Sequence, residues 1–139
     1  MEALQQALAE KRFGDAVEML VAHRQHVTFV EISDLLEPYM PVRGDRGFGP
    51  PEHQNIIMWA GGTTELYNVV GELMRAERIF AHPTTSMVYA LDGQLPDLPV
   101  ATNTHHKKPH WLPVIFCTYR NAAVERARKR QAKAAAAHA

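Results

Sequence analysis

The sequence holds little cysteine and no long apolar run, and each absence excludes a class of protein. Cys117 is the only cysteine in 139 residues, so no internal disulfide can form. No apolar run approaches the roughly 20 residues that a membrane helix needs. The first residues, MEALQQALAEKRF, are too charged for a signal peptide. We therefore expect a cytoplasmic protein that has no membrane among its partners.

Motifs of catalytic and cofactor sites are also missing. Gly61-Gly62 and Asp92-Gly93 lack the spacing of a phosphate-binding or dinucleotide loop and fit ordinary turns. Cys117 lies in an apolar segment without a neighbouring base, which predicts a buried structural thiol. The histidines within 105–110 suit zinc or copper, yet no cysteine or carboxylate accompanies them. The sequence predicts a non-enzymatic protein without a cofactor, a metal site or catalytic residues.

The net charge of zero is the sum of two unequal segments. Residues 1–100 contain 7 Lys+Arg and 14 Asp+Glu, a balance of −7. Residues 101–139 contain 8 Lys+Arg and only Glu125, a balance of +7. An acidic body with a basic end indicates that this end either meets an anionic partner or folds against the body.

Local patterns predict an α+β fold with one domain over residues 1–119. Two helical patterns occupy residues 1–25, and Thr28 with Glu31 forms a capping box before another helix. An amphipathic helix over 63–76 has Thr63 or Thr64 as its cap. The glycines and prolines of 41–55 predict a long loop. The Ala-rich segment 120–139 predicts a basic C-terminal helix or tail.

Four further stretches favour strands. Residues 78–81 and 87–91 predict a β-hairpin whose turn is 82–86. The apolar run 56–60 favours a buried strand, although the first turn of a helix is the alternative. Residues 111–119 predict an extra C-terminal strand, placed at a sheet edge by Pro113.

The order of helix, short strand, capped helix, long loop, helix and hairpin over residues 13–93 resembles the winged-helix version of the helix-turn-helix family. In that family the helix before the wing enters the DNA major groove, and the wing touches the backbone or the minor groove. The loop 41–55 is longer than the usual family turn, and Glu65 and Glu72 make the helix acidic. The resemblance implies contacts from the helix and the wing tip by Thr63, Thr64, Asn68, Gly71, Glu72, Arg75, His82, Thr84 and Thr85.

Basic residues after position 100 suit contacts with phosphates, with the Trp111 ring as a base contact. They are Lys107, Lys108, Arg120, Arg126, Arg128, Lys129, Arg130 and Lys133. We expect a small nucleic-acid-binding protein in a regulatory or accessory role, with double-stranded DNA as its partner. The alternative is a protein-interaction module that docks its acidic winged-helix body on a partner complex. RNA as the ligand and a homodimer both stay open.

Overall fold

The computed structural model describes residues 2–120, which form an α+β fold. The predicted basic segment beyond residue 120, including Arg126, Arg128, Lys129, Arg130 and Lys133, lies outside the described residues. Within 2–120 no helix is both long and apolar enough to cross a lipid bilayer. In chain order the elements are α1 (Glu2–Ala9), α2 (Phe13–Arg24), α3 (Phe29–Leu36), β1 (Arg46–Phe48), β2 (Ile56–Ile57), β3 (Trp59–Gly62), α4 (Thr64–Arg75), β4 (Phe80–Pro83), α5 (Ser86–Asp92), β5 (His110–Trp111) and β6 (Val114–Cys117).

α3 and α4 begin at threonines whose side chains satisfy free backbone N–H groups. Lys11, with a φ of 62°, separates α1 from α2. Thr28 Oγ1 accepts the Glu31 N–H at 3.2 Å, and the Glu31 carboxylate reaches back to the Thr28 N–H. Thr63 caps α4 in the same way, because its Oγ1 accepts the Leu66 N–H at 3.1 Å. The helices predicted within 1–25, after Thr28 and over 63–76 are therefore confirmed.

The central sheet joins three parts of the chain that lie far apart in sequence. β4 pairs antiparallel with β6, with Phe80 opposite Cys117. On the other edge of β6, Val27 and Phe116 exchange two backbone hydrogen bonds of 3.0 and 2.7 Å. The spatial order is thus Val27, β6, β4, and the extended residue between α2 and α3 belongs to this sheet.

The strand predicted over 111–119 is confirmed but divided, and its expected edge position is wrong. Leu112 and Pro113 separate β5 from β6, and β6 has partners on both sides. Pro113 lies in the break, where a missing N–H costs no ladder bond. The Pro113 carbonyl instead accepts the Thr84 N–H at 2.9 Å.

Two smaller strand pairs lie outside this sheet, and a single parallel bridge joins Val100 to Trp111. β1 and β3 pair antiparallel, and β2 pairs with β5 in parallel. The apolar run 56–60 is therefore extended, as favoured, and takes part in both pairs. β1 lies within the predicted loop 41–55, most of which has no regular structure.

The hairpin predicted over 78–91 is wrong in its second strand. Its first strand forms as β4, but residues 86–92 are helix α5. Gly93 closes α5 in the left-handed conformation with a φ of 86°, so the turn expected at Asp92-Gly93 is the C-terminal end of a helix. Tyr89 is fully buried, while Met87 and Leu91 are 65% and 81% exposed. Tyr89 is the buried residue of α5, and the segment lacks the alternation of buried and exposed side chains that a strand would show.

The core is dominated by aromatic rings around Phe29. Its ring lies parallel to Trp59, with centroids 5.7 Å apart, and edge-on to Phe116 at 5.0 Å. Tyr89 packs between Trp59 and Trp111 at 5.3 and 5.1 Å. The Tyr89 hydroxyl donates to the Val114 carbonyl at 2.6 Å and accepts the Phe29 N–H at 3.1 Å. These rings tie α3, α5 and the sheet together, and Tyr67 of α4 also contacts Phe29.

Candidate nucleic-acid interface

α4 presents a polar face to solvent. Thr64, Asn68 and Arg75 are exposed, and so are Glu65 and Glu72. The opposite face is buried in the core through Leu66, Tyr67, Val70, Gly71 and Leu73. The face that the resemblance assigns to a DNA groove is accessible except at Gly71, which is buried contrary to expectation, and it carries two carboxylates and one guanidinium.

Thr63 lies at the start of this helix with its hydroxyl already engaged. Its Oγ1 accepts the Leu66 N–H at 3.1 Å and donates to the Pro41 carbonyl at 2.7 Å. These bonds fix the N-terminus of α4 to the beginning of loop 41–55. Thr63 therefore positions α4, whereas Thr64 has the exposed side chain.

Most cations of residues 2–120 are neutralised by a carboxylate. The paired cations are Arg12, Arg24, Arg43, Arg46, Arg78 and Arg120. Lys11, Arg75, Lys107 and Lys108 make no ion pair within residues 2–120. Arg75, Lys107 and Lys108 are all among the contacts expected from the sequence. Their charge is available to an anionic partner.

Residues 101–109, which we call the basic loop, are folded around a histidine. His106 Nε2 accepts the backbone N–H groups of Thr102 at 3.1 Å and Asn103 at 3.4 Å. The His106 ring stacks on His110, with centroids 3.6 Å apart. Desolvation, and to a lesser extent the neighbouring His110, lower the pKa of His106. Its neutral form therefore organises a loop that exposes Lys107 and Lys108.

Residues 49–55 connect the basic loop to the C-terminal end of α4. The Asn55 amide donates to the His106 carbonyl at 2.8 Å, and the Asn55 carbonyl accepts the His110 N–H at 2.8 Å. Residues 49–52 line a groove together with Met74 and Arg75. The unpaired cations of α4 and of the basic loop thus flank one connecting segment.

His82 and Thr84 do not lie at a hairpin tip as predicted, because β4 runs through His82 to Pro83 and pairs with β6 instead. His82 pairs with Ile115, and its ring Nε2 donates to the Tyr119 carbonyl at 2.9 Å. The Thr84 N–H is bonded to Pro113. Arg120 pairs with Glu77 at 2.8 Å. These three predicted contacts lie along the β4–β6 pair, apart from the basic loop.

Trp111 does not supply the base contact suggested by its place after the lysines. The ring is 2% exposed, and its indole N–H donates to the Met58 carbonyl at 3.2 Å. Burial in the core leaves no free face on which a base could stack. The basic loop offers charge and hydrogen bonds instead.

Sequence reasoning missed a small cluster around Cys117. Its Sγ lies 3.8 Å from Nδ1 of His26, and the Tyr119 hydroxyl lies 3.4 Å from Nε2 of the same ring. The interaction with Cys117 raises the pKa of Tyr119. Cys117 is 1% exposed, which confirms the buried thiol. Residues 2–120 contain no group of three side chains able to hold a metal ion.

Comparison with known proteins gave no match: no family model, no curated protein and no solved structure matches this chain. The residues themselves therefore define the candidate site. It consists of the exposed face of α4, residues 49–55 and the basic loop, and its unpaired cations are Arg75, Lys107 and Lys108.

Proposed function

We propose that the protein is a non-enzymatic winged-helix protein that binds double-stranded DNA in a regulatory or accessory role. The observation that carries the proposal is the sheet order Val27, β6, β4. The family pattern requires a helix, a short strand, a capped helix, a further helix and two paired strands. Here α2, Val27, α3, α4 and the β4–β6 pair supply that order.

In this proposal the wing is residues 84–113 rather than 82–86. It leaves from β4, contains α5 and the basic loop, and returns through β5 to β6. The expected backbone contacts of a wing then come from Lys107 and Lys108. This assignment explains why the basic residues between Asp97 and Arg120 are concentrated in a single loop.

The α4 face contributes base recognition more than affinity. Asn68 can pair with adenine and Arg75 with guanine through two hydrogen bonds each. Glu65 and Glu72 suit the cytosine amino group but are repelled by phosphates. Most of the affinity must therefore come from cations outside α4. The basic segment after the described residues supplies more of them through Arg126, Arg128, Lys129, Arg130 and Lys133.

Fluorescence anisotropy with random-sequence duplex DNA across a salt series tests the proposal. We expect the affinity of the full chain to fall steeply with salt, because each phosphate contact contributes roughly 0.9 to the slope of log K against log salt. A chain that ends at residue 120 should lose most of the affinity. Absence of binding at low salt would remove DNA as the ligand, and equal binding to single-stranded RNA would remove the preference for duplex.

A second candidate function, docking on a protein partner, is favoured by a different surface. Met87, Leu91 and Leu95 are 65%, 81% and 56% exposed, on and just after α5. Apolar side chains grouped in this way mark interaction surfaces more often than isolated ones do. If docking is the function, Leu91→Lys should abolish a partner interaction that survives moderate salt. The same change should leave DNA binding intact if the first proposal holds.

A further inference from the structure

A groove of about 380 Å³ lies beside the exposed face of α4. This volume is within the range of roughly 300–1,000 Å³ that is usual for small-molecule sites. Two charged residues, Glu52 and Arg75, line it. The other lining residues are apolar or glycine: Phe48, Gly49, Pro50, Pro51, Met58, Gly71 and Met74. The groove therefore suits a ligand with an apolar body and little charge.

A glycine in the middle of α4 keeps the groove open. A Cβ added to Gly71 would lie 3.1 Å from Arg75 Nη1 and 3.8 Å from Phe48 Cε2. Any larger side chain at position 71 would extend between those two residues. Glycine weakens a helix interior relative to alanine. α4 thus accepts a weaker helix former at the one position where a side chain would fill the groove.

Arg75 determines the charge of the ligand. Its guanidinium makes no ion pair within residues 2–120, although it lies at the groove. A guanidinium binds a carboxylate through two parallel hydrogen bonds. Glu52 lines the same groove, so it disfavours a ligand with a second negative charge. One carboxylate on an apolar body matches both residues.

We propose that this groove binds a small apolar monocarboxylate, with its carboxylate on Arg75 and its body against Phe48, Met58 and Met74. Arg75 also belongs to the proposed nucleic-acid interface. Bound ligand should therefore weaken DNA binding by withdrawing one cation, a consequence that rests on the proposed function. Ligand binding itself does not depend on that function.

The test uses the full chain without nucleic acid and two probes of the same size, 3-phenylpropionate and its neutral amide. Two-dimensional NMR titration should shift amide signals of residues 48–52 and 71–75, with the acid binding at least ten-fold more tightly than the amide. Arg75→Gln should abolish that preference, and the matched change Lys11→Gln should preserve it. Gly71→Leu should abolish binding of both probes.

Three results would overturn the proposal. They are equal affinity for the acid and the amide, unchanged binding by the Arg75→Gln protein, and no shifts with 3-phenylpropionate at any soluble concentration. Arg75 is exposed, so its replacement keeps the test decisive even if Gly71→Leu does not fold. A protein that binds the acid but not DNA would reject the proposed function and keep the ligand site.

Discussion

His106 and His110 stack as nearly parallel rings, with centroids 3.6 Å and planes 11° apart, at the base of the loop that exposes Lys107 and Lys108. His110 Nδ1 donates to the Lys108 carbonyl at 2.8 Å, and His106 Nε2 accepts two backbone N–H groups. Both rings hold the loop in place through hydrogen bonds that a neutral imidazole can make. Protonating His106 would turn its acceptor into a donor that faces two other donors.

The basic loop should consequently lose order as the pH falls. The pKa of His106 is lowered in the folded chain, so its contribution to stability is complete above the ordinary histidine pKa of about 6.5 and is lost as the pH falls below that value. NMR titration should show the pKa of His106 below the ordinary histidine value of about 6.5. The Thr102 and Asn103 amide signals should move with His106. A pKa of His106 above about 6.5 would contradict this.

Replacing Tyr89 by phenylalanine should destabilise the fold without moving its ring. The change leaves the buried Phe29 N–H and the Val114 carbonyl without their partner. An unsatisfied buried polar group costs about 1–3 kcal/mol, so the free energy of unfolding should fall by at least that amount. Urea unfolding followed by circular dichroism measures it. Tyr39→Phe, at an exposed hydroxyl, is the control and should change little.

Gly71→Ala should have the opposite effect on stability. Alanine is the better helix former by about 0.5–1 kcal/mol in a helix interior. The nearest atom to the new Cβ is the flexible end of Arg75, which can move away. Urea unfolding should therefore show a higher free energy of unfolding than for the parent chain. A loss of stability would mean that Phe48 or the α4 backbone has to shift.

Exchanging Lys107 and Lys108 together for glutamine should reduce the salt dependence of DNA binding. Two lost phosphate contacts lower the slope of log K against log salt by roughly 1.8. Lys11→Gln is the matched control, because Lys11 also makes no ion pair within residues 2–120 but lies between α1 and α2. Equal slopes for the double variant and the parent chain would remove the basic loop from the interface.

Cys117 should react slowly with thiol reagents in the folded protein. The sulfur lies in a strand of the central sheet and is 1% exposed, so an uncharged reagent reaches it only after local opening. Reaction with a maleimide should speed up by orders of magnitude in denaturant. Fast modification under native conditions would instead indicate a thiolate activated by His26.

Structure that depends on contacts within a few residues could be predicted from the sequence. Strand pairings between distant parts of the chain could not. The cap of α3 by Thr28 and the cap of α4 by Thr63 depend on side chains three residues from their partners. The partner of β4 depends on which distant strand covers the core, and local sequence does not indicate this. The sequence therefore predicts an edge position for β6 and a strand for the segment of Tyr89, and both predictions are wrong. Lys107 and Lys108 could be named as candidate contacts because charge is visible without structure.

The position of β6 determines when the fold can be completed during synthesis. Val27 and β4 are both made before β6, yet each is paired through it. A nascent chain that has emerged only as far as the basic loop therefore carries two unpaired strand edges, which are prone to pair with other chains. Closure of the sheet must wait for residues 114–117 to leave the ribosome.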